Sequence, residues 1–246
     1  MASLTDGLLS ALHYPVARAW AHYYPCYDDA RALFLRMVVR HAKPDGLALD
    51  LGCGKYSYAM PSRQFGRQVI GMDMCPALRH NTWVSCRVTG DVYHIPLPAN
   101  SIDLIVMRFM MEHLERPLAA MREIARVLRP GGKLLVLTPN RRHYVAQIAL
   151  LTPDWFHRWY LGRRGHPQEV SFPTLYRANT PGVLRKLAER VGLGLTELKI
   201  CEGPPGYLDV CWLAFLLGVA YERLVNRFQA LAGLRCSMLA TLQKVS

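Results

Sequence analysis

The sequence predicts an α/β fold, a parallel sheet with helices on both faces, on three observations. Four short apolar runs each carry or lead into an acid: 47–51 with Asp50, 69–72 ending at Asp73, 84–88 running into Gly90 and Asp91, and 102–107 with Asp103. The runs alternate with helical patterns, as in sheets whose ligands bind beyond the carboxyl ends of the strands, where strand order reverses. The first run, within LALDLGCG at 47–54, ends in a glycine turn.

Taken in order, the elements support this reading. Residues 13–42 mix aromatics and charges at helical spacing, which predicts a pair of amphipathic helices and no segment of signal-peptide form, hence a cytoplasmic protein. Leu47, Leu49 and Leu51 lie between Gly46 and Gly52 and form the first strand. Gly52 and Gly54 allow a positive φ and a close approach of backbone to ligand. A dinucleotide fingerprint would need glycine at 57, where the chain has Ser57, so NAD is disfavoured. Asp50, Asp73 and Asp91 would line one crevice at the sheet edge, although aspartates also cap turns and helices that follow strands.

In this order the motifs resemble those of the class I S-adenosylmethionine (SAM) dependent methyltransferases, in particular the small-molecule branch with the ubiquinone and menaquinone biosynthesis enzymes. LDLGCG at 49–54 is similar to the first motif, VIGMD at 69–73 to the second, and GDVYHIPLPANSIDLIV at 90–106 to the third and fourth. EHLERPLAAMREIARVLRPGGKLLVLTPN at 112–140 is similar to the helix and fifth strand that follow. The resemblance implies a Rossmann-like, seven-stranded sheet with helices on both faces and an antiparallel final strand. It also implies that Asp50 and the backbone of Gly52, Cys53 and Gly54 surround the methionine part of SAM, that Asp73 binds the ribose hydroxyls, and that Asp91 and Val92 address the adenine. Met74 and Arg108, beside the second and fourth motifs, complete the candidate cofactor set. The family usually has a third glycine two residues beyond Gly54, and this chain has Tyr56, whose ring would cover the sulfonium or pack on the following helix.

With 246 residues, 51% of them hydrophobic, the chain is expected to form a single domain: helices over 1–44 as a lid, a cofactor-binding core over 45–140, and insertions at 141–178 and 203–235. Seven cysteines without a C-x-x-C pair read as thiols of a reducing compartment and give no support for a metal. The net charge of +12 suits an anionic partner, but its arginines are spread along the chain without a nucleic-acid-binding signature, so a small molecule is preferred to nucleic acid.

The insertion at 141–178 carries Tyr144, Trp155, Phe156, Trp159, Tyr160, Phe172 and Tyr176 with six arginines, the aromatic and cationic chemistry that binds flat, apolar or acidic acceptors. Thr180-Pro181 starts a helix that runs to Val191 and ends at Gly192, a sixth strand follows at about 195–201, and a final strand occupies about 237–244. Between those strands Val210, Leu213, Leu217, Leu224 and Phe228 share one helical face, and Glu222, Asn226, Arg227 and Gln229 lie elsewhere. The apolar stretch is shorter than the roughly 20 residues that span a bilayer, which leaves a cap over the acceptor, a dimer contact or a membrane-surface contact.

The expected chemistry is in-line displacement at the SAM methyl, in which the protein aligns the acceptor and removes a proton from a weakly acidic hydroxyl. His143 after the fifth strand, His113 after the fourth and His166 in the insertion are the candidate bases, in that order. Tyr23, Tyr24 and Tyr27 are lid candidates. A SAM-using enzyme of different outcome and a non-catalytic SAM-binding protein remain as alternatives, and Tyr56 is the feature that speaks for them.

Overall fold

Alternate residues of a strand point to opposite faces of its sheet, and the central strands are apolar on both. In the computed structural model, which describes residues 18–25, 27, 29–43, 45–57, 68–153, 173–209 and 211–245, this pattern divides the interior into two cores. Leu49, Leu51, Ile105, Met107, Leu134 and Val136 face one core, and Ala48, Leu104, Val106, Leu135 and Leu137 face the other. Both faces must therefore be covered, and helices cover them.

The strands are β1 (Ala48–Leu51), β2 (Val69–Asp73), β3 (Cys86–Thr89), β4 (Ile102–Arg108), β5 (Leu128–Pro139), β6 (Leu193–Cys201) and β7 (Ser237–Lys244). They form one seven-stranded sheet in the order β3-β2-β1-β4-β5-β7-β6. The pairs from β3 through β5 are parallel. β7 runs antiparallel to both of its neighbours, as expected of the final strand. The third strand starts at Cys86, two residues later than the apolar run suggests, because Val84 turns inward as a buried side chain while the Ser85 N–H bonds the Val69 carbonyl.

Helix α1 (Ala30–His41) covers the second core with Phe34, Met37 and Val38, and Asp29 caps it by accepting the Ala32 N–H at 2.7 Å. Helices α2 (Pro117–Val127) and α4 (Pro181–Glu189) cover the first core with Met121, Ile124, Leu184 and Ala188. Each begins with proline in its first turn, where a missing N–H costs nothing. The helix predicted to reach Val191 stops at Glu189, and Gly192 then takes φ +73°. Helix α3 (Tyr144–Leu151) follows β5, and α5 (Trp212–Arg227) lies between β6 and β7.

Helix α5 turns Phe215, Val219, Glu222 and Val225 inward and leaves Leu213, Leu217, Leu224 and Phe228 exposed among the described residues. The apolar face read from the sequence is thus the outward one, and Val210 lies outside the described residues. Glu222 sits on the buried side because Tyr24 and Asn226 both donate hydrogen bonds to its carboxylate. Among the described residues no helix is long and apolar enough to cross a membrane.

Gly71 of β2 lies beneath the turn after β1, and a Cβ there would come within 2.8 Å of Val84 Cγ1 and 2.9 Å of Cys53 Sγ. Gly71→Ala should destabilise the protein by roughly 1–3 kcal/mol, the usual cost of overpacking a tight core, read as a lower denaturant midpoint at unchanged slope.

Candidate cofactor and acceptor site

Strand order reverses at β1, whose chain neighbour β2 lies on one side and β4 on the other. Because Leu51 pairs with both Met72 and Met107, the residues that follow (Gly52, Asp73 and Arg108) reach the sheet edge at one level. A cavity of about 220 Å³ opens there, lined by Gly52, Asp73, Met74, Asp91 and Val92 and closed by Phe109, Met110 and His113. This is where a doubly wound sheet binds its ligand.

Gly52 and Gly54 both take positive φ, +71° and +54°. A side chain at Gly52 would also press on Met110, whose Sδ would be 3.0 Å from the added Cβ. The Gly54 N–H donates to Asp73 Oδ2 at 2.7 Å and the Cys75 N–H to Oδ1 at 2.8 Å, so backbone donors aim the Asp73 carboxylate at the cavity edge. A carboxylate has about four acceptor positions, which leaves capacity for a ligand diol. Asp91 accepts the Tyr93 N–H at 3.0 Å. Phe109, directly after β4, holds a left-handed φ of +51°, a costly conformation for an aromatic residue that turns the chain across the cavity mouth.

Asp50 faces inward from β1, buried, and the Ser57 hydroxyl donates to it. Loss of hydration pushes its carboxyl up to about 6, against the opposing effects of Ser57 and of the Arg108 charge. Burial also drives the Cys53 thiol well above its ordinary range, so it is an inert packing group. Tyr56 is exposed with the Lys55 ammonium 5.2 Å from its ring centre, and it does not line the cavity. The Arg108 guanidinium lies 5.6 Å from the ring centre of Phe109.

The three histidines have different settings. His113 lines the cavity, and its Nδ1 is 3.1 Å from the Pro173 carbonyl oxygen, a contact that puts the proton on Nδ1 and leaves Nε2 as the basic nitrogen. His143 is buried away from the cavity as the N-cap of α3, where Nδ1 accepts the Val145 N–H at 3.3 Å and Nε2 lies 3.3 Å from Glu202 Oε2. Burial lowers its pKa, but Cys236 and Glu202 together outweigh that and raise it to about 9. His166 lies outside the described residues, as do Trp155, Phe156, Trp159, Tyr160 and Phe172. Tyr23, Tyr24 and Tyr27 line a separate cavity of about 150 Å³ with Glu202 and Arg223.

Sequence reasoning missed Glu112. It is buried beside His113, accepts a hydrogen bond from Thr138 Oγ1 at 2.9 Å, and is raised in pKa by burial. Asn179 Nδ2 in turn donates to Thr138 Oγ1 at 2.5 Å, and the Glu112 carbonyl accepts the N–H groups of Leu175 and Tyr176. This network ties the edges of β4 and β5 to the segment before α4. Its only trace in the sequence is an acid next to a candidate histidine.

The sheet order, the antiparallel last strand and the glycine-and-acid cavity at the reversal point define the Rossmann-like class I methyltransferase fold. Residues 49–136 match the Methyltransferase domain family. The malonyl-[acyl-carrier protein] O-methyltransferase of Dechloromonas aromatica is 31% identical over 186 residues, 71% of this chain and 64% of that protein. The ubiquinone biosynthesis O-methyltransferase of Xanthomonas campestris pv. campestris is 30% identical over 131 residues, 50% of this chain and 55% of that protein. The chain therefore spans less than two thirds of either relative. In structure it is similar to an S-adenosylmethionine dependent methyltransferase from Mesorhizobium loti, with a TM-score of 0.57 at 16% identity over 88% of this chain and 98% of the other.

The setting of Asp50 has a measurable consequence. Its pKa in the folded protein lies above its unfolded value, so the fold favours the protonated acid. The Asp50 contribution to stability is full below about pH 4, is lost as pH rises through 6, and above that leaves a cost on the order of 3 kcal/mol. Asp50→Asn, which can still accept from Ser57, should raise the unfolding midpoint of the ligand-free protein at pH 7–8, and the gain should vanish near pH 4.

Proposed function

We propose that this protein transfers a methyl group from SAM to an oxygen of a small hydrophobic or aromatic acceptor bearing an acidic group. The observation that carries the reading is the cavity at the β1/β4 reversal, where the glycine turn, Asp73 and Asp91 occur together. In this reading the α-ammonium of SAM lies against Asp50 and the Gly52–Gly54 turn, which adds a second positive charge beside a carboxylate whose burial Arg108 offsets only in part. Asp73 accepts the ribose hydroxyls in charge-assisted bonds. Asp91 and Val92 hold the adenine, and Met74 covers it.

His113 is the proposed base, since among the histidines at the sheet edge it is the one that lines the cavity. Glu112 positions it through the backbone and holds Thr138 at the neighbouring strand end. Arg108 balances the negative charges of Asp50 and Glu112, whose pKa values it lowers. The SAM sulfonium is already activated, so alignment supplies most of the rate and a base matters in proportion to the pKa of the acceptor hydroxyl.

The N-terminal helices and the two insertions form the proposed cap over the acceptor. Trp20 and Tyr24 pack on Phe215 of α5, with ring centres 5.6 and 6.3 Å apart, which joins the N-terminal segment to the second insertion. Oxygen is preferred as the methylated atom because the Dechloromonas and Xanthomonas relatives are both named as O-methyltransferases. The described cysteines are all free thiols, which suits the reducing interior of a cell.

Calorimetry should show that SAM and S-adenosylhomocysteine bind, and Asp73→Ala should weaken both by about 1.5–3 kcal/mol, the worth of hydrogen bonds to a charged group. Binding of NAD or ATP in their place would sink the assignment. With labelled SAM and a panel of phenolic and carboxylate acceptors, S-adenosylhomocysteine should form together with a labelled ester or ether. For a phenolic acceptor, His113→Gln should reduce turnover by roughly two to four orders of magnitude with cofactor affinity intact. Full activity in that variant would remove His113 as the base.

A further inference from the structure

Three potential metal ligands from distant parts of the sequence meet at the other end of the same sheet edge. His143 follows β5, Glu202 follows β6 and Cys236 precedes β7, and their ligand atoms all lie within 4.8 Å of one another. The side chains of His143 and Glu202 are 4% and 6% exposed, and their facing atoms, Nε2 and Oε2, form a buried ion pair 3.3 Å apart that lacks hydrogen-bond geometry. Buried polar atoms left in that state are costly, and each such pair requires an explanation.

We propose that His143, Glu202 and Cys236 form a binding site for a divalent cation of the zinc class. Nitrogen, oxygen and sulfur together are the donor set that zinc accepts, and three protein ligands leave its fourth position open to water or to an anionic oxygen. Bonds of about 2.0–2.2 Å in a tetrahedron put two ligand atoms roughly 3.3–3.5 Å apart. The His143–Glu202 separation of 3.3 Å matches that spacing, and one cation between the atoms would satisfy both.

The surroundings support a built site. The Asn140 side chain donates to the carbonyls of Gly233 and Arg235 at 2.8 Å, and its backbone N–H bonds the Cys236 carbonyl at 2.7 Å, which fixes the thiol against the end of β5. The imidazole is placed by its position as the N-cap of α3, and binding a cation through Nε2 would move its proton to Nδ1 at the expense of the 3.3 Å contact with the Val145 N–H. Tyr144 and Tyr221 pack on that imidazole, with ring centres 4.2 and 5.7 Å away. Glu202 also lines the 150 Å³ cavity with Tyr24, Glu222 and Arg223, which gives the trio a path to solvent. Adjacent strands are about 4.8 Å apart, which puts the trio roughly 10–15 Å along the edge from the SAM cavity, so its occupancy is independent of the methyl transfer proposed above.

The test uses the full chain, stripped with a chelator in reducing buffer and titrated with Co²⁺ in the absence of SAM and acceptor. One equivalent should bind with a thiolate-to-cobalt charge-transfer band in the near ultraviolet, and Zn²⁺ should displace it. His143→Gln, Glu202→Gln and Cys236→Ser should each weaken binding by at least roughly the tenfold that even an outer partner of a metal is worth, and Cys236→Ser should abolish the band. Cys86→Ser, which alters an exposed thiol on β3, should leave both unchanged. No thiolate band in the folded wild-type protein, or a band undiminished in Cys236→Ser, overturns the proposal. The wild-type spectrum decides the matter even if a variant fails to fold, and the outcome does not depend on whether SAM binds.

Discussion

The placement of β1 between β2 and β4 is the constraint on which the site depends. Parallel pairing on both sides brings Gly52, Asp73 and Arg108 to one level, and the burial of both sheet faces leaves β1 no freedom to slip by a residue. From that level the chain must turn at once, and only glycine takes φ near +70° against the Met110 side chain without strain. The Gly54 N–H, directed outward by the turn, then finds the carboxylate of Asp73. The cavity thus follows from strand register more than from any single ligand-facing residue.

The same register forces a compromise at Asp50. On β1, Leu49 and Leu51 take the first core, so residue 50 must point the other way, where a carboxylate loses its water. The free protein tolerates an acid whose ionisation it opposes. A cationic ligand at the turn after β1 would reverse that penalty, so part of the electrostatic cost of the empty fold becomes selectivity for positive charge when occupied. Phe109 is a parallel case in backbone geometry, since it holds a costly left-handed conformation directly after β4.

The core strands are legible in the sequence because their signals are local: apolar runs, glycines and acids within a few residues of one another. The family resemblance adds the antiparallel last strand, which no local pattern prescribes. Legibility fails where function depends on the direction of one side chain in a turn. His143 stands at the expected edge of the sheet, but as the N-cap of α3 its ring points toward β6 and away from the cavity. No periodic signal marks Glu112, since Thr138 lies 26 residues from it and Asn179 a further 41 residues along the chain. The His143, Glu202 and Cys236 trio has no spacing rule at all, because three strand ends bring it together. On α5 the apolar stripe is evident from the spacing, yet it faces outward among the described residues, since Glu222 has hydrogen-bond partners on the inner side.

The strand order also bears on how the chain assembles. β6 touches the sheet only through β7, which lies later in the sequence and inserts between β5 and β6. During synthesis the five strands from β3 to β5, with the cavity at their edge, can pair while β6 still waits for its neighbour. Lys244 at the end of β7 then donates to Asn100 and to the carbonyls of Ala125 and Leu128, and so fastens the late strand to the end of α2 and the start of β5. The half that bears the cavity is thus a local unit, and the half that holds β6 and α4 is completed by long-range pairing.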